Sequence, residues 1–362
     1  MAPNTAAALA ALIPKYLDQR CVRVVTGGVT ETTHILQIKF DHIFYTGSTH
    51  VGKIIMSAAA KQLTPVTLEL GGKSPTIVDE TADIDIAAKR IAWGKFLNAG
   101  QTCIAPDYVI CVGEGVQEKL IASFQAHLGQ FYGVTRKEQR DSACYTRIIN
   151  DAHFDRLNKL LGETKGVVAI GGDRHREDRY IAPTILTDLD WDDAYMQSEI
   201  FGPVLPVLAM TSIDEAVEAI NARDSPLALY IFSKDQKRIH NIMDTTRSGA
   251  VVVNDVFMHI ATHGLPFGGV GGSGFGAYNG KKSFDTFIHE RSVLWRPAGL
   301  DVVNMPRYPP YTPGHGRIML SALSGDLDRS VSRMGKMTMF AMVVGLVATA
   351  YGLSRNDSFP FL

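Results

Sequence analysis

The sequence is poor in cysteine, balanced in charge and free of internal repeats, and each of these narrows what it can be. Its 362 residues hold four cysteines, Cys21, Cys103, Cys111 and Cys144. None of them forms a C-x-x-C pair, so neither a zinc knuckle nor a thioredoxin-like site is indicated, and no metal site is assigned. So few cysteines in a chain of this length point to a reducing compartment. Lys and Arg number 36 against 37 Asp and Glu, a net charge of −1. A phosphate backbone would find no basic excess, so nucleic-acid binding lacks electrostatic support. The N-terminus, MAPNTAAALAALIPKYLDQR, reads as an amphipathic helix. Its apolar run has no basic segment ahead of it and does not read as a secretory leader.

Long hydrophobic runs are also scarce, with one exception. Residues 337–354 (MTMFAMVVGLVATAYGLS) pass 18 positions without a charge, with Arg329, Arg333 and Lys336 before them and Arg355 after. At about 1.5 Å per residue the run just suffices for a short transmembrane helix. The basic flank suits a C-terminal tail anchor with the folded body on the cytosolic side. A buried core helix is the alternative.

The remainder alternates between helical and strand patterns. Helices are expected over 5–18, 30–39, 51–62, 84–98, 116–132 and 213–221. Strands are expected over 21–25, 42–45, 65–70, 108–112 and 167–170, around Ile185, and over 204–208 and 249–254. Strands and helices alternating through glycine turns predict an α/β fold, a parallel sheet covered by helices. Residues 268–276 (GGVGGSGFG) are the most glycine-dense, and 297–316 is proline-rich and expected to be extended or loop.

Four short motifs could carry chemistry. Thr46-Gly47-Ser48-Thr49-His50-Val51-Gly52 lies between a strand and a helix. Glycines there admit a ligand to the backbone, and a helix N-terminus favours an anion such as a pyrophosphate. The G-x-G-x-x-G spacing is missing, so an ordinary turn is the simpler reading. In Glu69-Leu70-Gly71-Gly72-Lys73-Ser74-Pro75 a carboxylate ends an apolar strand. Partly desolvated, it would have a raised pKa and could act as a general base near neutrality; in water it would be a plain surface charge. Asn98-Ala99-Gly100-Gln101-Thr102-Cys103-Ile104-Ala105-Pro106 sets a cysteine on a turn. A turn can supply a backbone N–H to an oxyanion, but a lone cysteine is more often a small buried apolar residue. Glu199-Ile200-Phe201-Gly202-Pro203-Val204 places an acid and an aromatic two apart, able to hold a ribose and a flat ring or merely to open a strand.

Taken together and in order, ELGGKSP, NAGQTC with its cysteine 34 residues beyond the glutamate, EIFGPV and PFGGVGGSG resemble the aldehyde dehydrogenase superfamily. VVTGGVTETTHIL, VNDVFMH and LPFGGVGGSGFGAYNGKKSFDTFIHERSVL are most similar to its class 3 branch, which includes fatty aldehyde dehydrogenases, several with a hydrophobic tail anchor. The resemblance covers residues 6–296. It implies an aldehyde dehydrogenase-like α/β fold. A partial Rossmann-type cofactor domain would occupy 1–70 and a catalytic domain 71–265. A glycine-rich bridging and oligomerisation segment would occupy 266–330, and a hydrophobic helix 337–354.

The resemblance also implies roles. Cys103 falls on the nucleophile that attacks the aldehyde carbon to give a thiohemiacetal; hydride then leaves to a nicotinamide, making a thioester. Glu69 falls on the base that activates the hydrolytic water. Gly47, Ser48, Thr49, Val51 and Gly52 fall on the turn under the cofactor diphosphate, Glu199 on the residue holding the nicotinamide ribose, and Phe201 on the aromatic beside it. NAD is the implied cofactor, with NADP open, and a homodimer the implied assembly. The substrates would be medium- or long-chain aliphatic or aromatic aldehydes. The expected location is the cytosolic face of the endoplasmic reticulum, mitochondrial outer membrane or lipid droplet, or the cytoplasm if 337–354 is no anchor.

The departure from the family pattern is at the front. Members carry a further stretch that holds the first strands of the cofactor sheet, an oxyanion-hole asparagine and an adenosine-ribose lysine. No Asn or Lys of this sequence can be assigned to either role. Losing one oxyanion donor typically costs about a hundred- to a thousandfold in rate. The sequence reading therefore keeps two alternatives beside the dehydrogenase: a cofactor-free thiol esterase using Cys103 and Glu69, and a silent scaffold. Residues 291–296 (RSVLWR) are the expected partner of a subunit-contact hairpin and would be unpaired.

Overall fold

The computed structural model describes residues 2–296, 298–299 and 301–324. The hydrophobic helix expected at 337–354 lies outside them; among the described residues no helix is long and apolar enough to cross a membrane. The chain divides into two compact units, Met1–His289 and Glu290–Leu362.

The first unit opens with helices α1 (Pro3–Tyr16) and α2 (Val29–Ile35), neither of which buries a residue. Strands β1 (Ile43–Thr46) and β2 (Val66–Glu69) come next, with helix α3 (Thr49–Ala60) between them. They pair in parallel and, with β12 (Gly274–Phe275) antiparallel on the far edge of β2, make a three-stranded sheet in the order β1-β2-β12. The strand expected over 21–25 is absent. Its residues form a turn and coil, exposed apart from a half-buried Val24, and no neighbouring strand takes up their backbone groups.

The larger sheet is built from β3 (Pro75–Asp79), β4 (Tyr108–Val112), β5 (Val167–Ile170), β8 (Thr184–Thr187), β9 (Val204–Met210), β10 (Ala228–Phe232) and β11 (Ala250–Val253). Their order is β11-β10-β3-β4-β9-β8-β5, parallel except for β5. A two-stranded hairpin, β6 (Arg174–His175) and β7 (Tyr180–Ile181), stands apart. Helices α4 (Ile84–Phe96), α5 (Val116–Tyr132), α6 (Arg136–Asp141), α7 (Asp151–Glu163), α8 (Ile213–Asn221), α9 (Gln236–Thr245) and α10 (Lys281–Phe287) complete the unit.

Burial on both faces explains why the central strands read as unbroken apolar runs. Side chains alternate between two separate cores: Val109 and Cys111 of β4 join Ile91, Leu120 and Phe124 of α4 and α5, whereas Tyr108 and Ile110 join Ile220, Ile239 and Ile242 of α8 and α9. Cys111 is thus the structural cysteine of the chain, wholly buried. The strand β3, interior in the sheet, and β10, α7 and α9 have no counterpart among the sequence expectations. Each is short or polar-flanked and gains its apolar surroundings only from neighbours distant in sequence.

β12 returns to the small sheet, and residues through His289 pack in the first unit, so the segment expected over 266–330 is divided. In the second unit residues 291–296 form no strand. The stretch 297–316 is not simply extended: it holds a 3₁₀ turn (Asp301–Arg307) and begins helix α11 (Pro313–Leu323). Thr312 caps that helix and Pro313 sits at its first position, where a missing N–H costs nothing.

At the end of β3, wholly buried Asp79 accepts from Ser233 Oγ at 2.6 Å, Thr81 Oγ1 at 2.6 Å and Thr81 N at 2.8 Å, and faces Arg238 at 3.5 Å. Asp79→Ala leaves these donors without their acceptor and is expected to cost about 3 kcal/mol, read as a fall in the urea midpoint at unchanged slope.

Candidate active site

Thr46 and Glu69, at the carboxyl ends of β1 and β2, stand in register. The amino ends of β3 and β4 also lie side by side, Pro75 opposite Tyr108, with β9 next along. Glu69 comes just before the turn into β3, Cys103 just before β4, and Glu199 just before β9. The topology therefore gathers three of the expected residues where one sheet ends and the other begins.

Cys103 Sγ donates to Glu69 Oε1 at 3.4 Å. Glu69 is 3% exposed, and burial raises its pKa, with the Cys103 thiol and Thr46 opposing. Burial pushes the Cys103 thiol far up as well, and the Glu69 carboxylate adds to the effect. The resting pair is a neutral thiol hydrogen-bonded to a desolvated carboxylate, with a proton acceptor already in reach of the sulfur.

The turn that presents Cys103 is strained. Asn98 (φ 53°), Ala99 (φ 52°) and Gly100 (φ 72°) are successive left-handed residues, a conformation that costs a non-glycine residue about 1–2 kcal/mol. Gln101 holds it together. Its Nε2 donates to the carbonyls of Asn98 at 2.9 Å and Arg147 at 3.2 Å, and its Oε1 accepts from Ile149 N at 2.9 Å. A Cβ on Gly100 would strike the Gly202 carbonyl, so the cysteine turn lies directly on the loop that carries Glu199. Beyond the cysteine, buried Tyr230 donates to the Ile104 carbonyl at 2.5 Å.

Glu199 lies against the other side. Its carboxylate occupies the space a Cβ on Gly71 would need, and it accepts from the Gly72 N–H. Burial, then the Asp107 charge, push it up to about 8. Phe201 adopts φ 49° and remains exposed at the rim.

The turn of residues 46–52 is tied to the same strand: Gly47 N donates to the Glu69 carbonyl at 3.1 Å. Ser48 caps α3, accepting from Val51 N at 3.4 Å, and Thr49 Oγ1 donates to the Gly272 carbonyl at 3.2 Å. Gly52 is buried because α3 lies hard against Leu70, which a Cβ would meet at 2.8 Å. It serves packing, while Val51 faces outward, exposed. Between α2 and α3 a groove of about 700 Å³ is lined by Leu36, Gln37, His50, Lys53, Ile54 and Lys61 among others. A capped helix N-terminus, a broad groove beside it and a ribose-sized acid at Glu199 suit a dinucleotide.

The family model for the aldehyde dehydrogenase family matches residues 1–293. The chain belongs to the aldehyde dehydrogenase family. It is 54% identical over 302 residues to the Rattus norvegicus "Aldehyde dehydrogenase, dimeric NADP-preferring", covering 83% of this chain and 65% of that protein. It is 52% identical over 310 residues to the Mus musculus "Aldehyde dehydrogenase family 3 member A2", covering 86% of this chain and 63% of that one. This aldehyde dehydrogenase chain thus spans just under two thirds of these curated relatives. Among solved structures, Staphylococcus aureus AldH in a substrate-bound state superposes with a TM-score of 0.83 at 44% identity, over 88% of this chain and 68% of that one. The NAD-dependent aldehyde dehydrogenase from Sinorhizobium meliloti gives 0.71 at 29%, over 82% and 60%.

Several site residues escaped the sequence reading: Gln101, Asp107, Arg156 and Tyr230, whose roles depend on contacts distant in the chain. Lys73 and Gln101 lay inside quoted motifs without an assigned task. One consequence of the electrostatics is testable directly. Glu69→Gln removes the negative charge that holds the thiol proton, so Cys103 is expected to alkylate several-fold faster at fixed pH. Mass-spectrometric timing of iodoacetamide labelling checks this, and slower labelling would contradict it.

Proposed function

We propose that this aldehyde dehydrogenase chain oxidises aldehydes to carboxylic acids with NAD or NADP, through a covalent intermediate on Cys103. The observation that carries this is the Sγ–Oε1 contact of 3.4 Å between Cys103 and Glu69. The sulfur attacks the carbonyl carbon, a C–S bond forms, and the thiol proton passes to Glu69. The Cys103 backbone N–H, lying close to its own sulfur, is placed to donate to the oxygen on which charge develops. A bound nicotinamide would supply the hydride acceptor that this carbon needs to pass from thiohemiacetal to thioester. Glu69, having returned its proton to solvent, takes one from water; that oxygen attacks the acyl carbon, the C–S bond breaks and the thiol reforms. Splitting one hard displacement into two easier ones is the gain of covalent catalysis.

Gly47, Ser48, Thr49 and Val51 would receive the diphosphate, with Gly52 packing the helix behind them, Glu199 the nicotinamide ribose and Phe201 the ring edge. The name of the rat relative favours NADP alongside NAD and a dimeric assembly. Its class 3 likeness favours medium- or long-chain aliphatic or aromatic aldehydes. A tail anchor at 337–354 would keep such apolar substrates close, on the cytosolic face of the endoplasmic reticulum, mitochondrial outer membrane or lipid droplet.

Cys103→Ala is expected to abolish aldehyde-dependent cofactor reduction. Glu69→Gln should slow turnover by about 10²–10⁴-fold. Because burial raises Glu69, wild-type turnover should climb with pH through a value above that of an ordinary carboxylate, and Glu69→Gln should lose that rise. Full turnover in Cys103→Ala would overturn the reading; ester hydrolysis without any cofactor reduction would favour the esterase alternative. For the anchor, the full chain should sediment with membranes and a chain lacking 337–354 should not. Equal partition of the two would dismiss it.

A further inference from the structure

Glu199 hangs on a loop whose backbone is gripped from both sides by charged residues. Lys73 and Asp107, just ahead of β3 and β4, form an almost buried ion pair of 2.5 Å. Lys73 Nζ also donates to the carbonyls of Tyr195 at 2.7 Å and Ser198 at 3.1 Å. Asp107 Oδ1 accepts from Ile200 N at 3.1 Å, and Arg156 of α7 donates to the Ile200 carbonyl at 2.6 Å. The residues immediately before and after Glu199 are therefore both fixed.

A second lysine stands behind this pair. Lys95, in the last turn of α4, is wholly buried, and its Nζ has no hydrogen-bond partner among the described residues. It lies 4.0 Å from Asp107 Oδ1, the oxygen that accepts from Ile200. A buried polar head without a hydrogen bond is costly, and an aliphatic side chain in its place would avoid the cost, so the position has use for a cation. Asp107 then sits between two cations, Lys73 on Oδ2 and Lys95 facing Oδ1. With Lys95 absent, Lys73 alone would draw the carboxylate and free Oδ1 from the Ile200 amide.

We propose that Lys95 is a positioning residue: acting through Asp107, it locks the loop of residues 195–200 and thereby aims Glu199 at the cofactor ribose. The inference rests on the cofactor reading of Glu199 and deepens it. Burial brings Lys95 down to about 8, with Asp107 holding it up, so the ammonium form prevails at neutral pH. Lys73 and Glu199 are the other charged groups whose fields reach it.

The test uses the full chain, as wild type, Lys95→Met, Asp107→Asn and the double variant. In Lys95→Met, amides of 195–200, Ile200 above all, are expected to exchange with deuterium about tenfold faster, while those of 228–232 keep their protection. Calorimetric titration with NAD should show an affinity about tenfold weaker, and the double variant should bind no more weakly than Asp107→Asn alone, because one residue acts through the other. Should Lys95→Met fail to fold, Lys95→Gln, which keeps a polar end without the charge, carries the same comparison. Unchanged exchange at 195–200, or losses of affinity that simply add, would overturn the lock. Faster exchange in a chain whose wild type binds neither NAD nor NADP would leave the lock standing and remove the cofactor reading of Glu199.

Discussion

The candidate site of this chain is organised around a neutral thiol held against a desolvated carboxylate. Neither group could do much alone. Cys103 in water would be mostly protonated and would have no fixed acceptor, and Glu69 in water would be too weak a base near neutrality. Burial raises both, and the 3.4 Å contact couples them, so the proton on sulfur has a defined destination. The architecture serves this contact by ending one parallel pair of strands where the central strands of a second sheet begin.

Close approach is what makes that junction work, and it explains where the glycines stand. Gly100 allows the cysteine turn to rest on the Gly202 carbonyl, and Gly71 leaves room for the Glu199 carboxylate. In both cases a methyl group would separate two functional residues. Strain accumulates at the same place, in the left-handed run from Asn98 to Gly100 and again at Phe201. It persists because surrounding contacts determine the conformation, among them the Gln101 side chain and the Tyr230 hydroxyl.

Charge supplies the remaining order. Lys73, Asp107 and Arg156 bind main-chain groups on either side of Glu199, so the loop is tied to the sheet ends that support it. Such buried ionic contacts are weak evidence of stability in general. Here they bear on geometry, since they act on the backbone that carries an acid.

The sequence by itself determined the class of fold and marked Cys103, Glu69 and Glu199 as candidates, which the structure then brings together. Alternating patterns gave the α/β layering, and motif order singled out the residues, because short glycine-flanked stretches keep their meaning without their neighbours. It placed a strand at 21–25 that does not form, since β-branched residues make a strand only where another strand accepts their hydrogen bonds. It passed over β3, an interior strand of the large sheet, for the converse reason. It could not say that the glycine-rich segment returns to pair with β2, nor that Lys95 stands behind Asp107. Those facts are contacts between distant residues, and only tertiary structure decides them. The same holds for the pKa of the thiol and of both acids. Composition gives each group its ordinary value, and burial with its particular neighbours moves it.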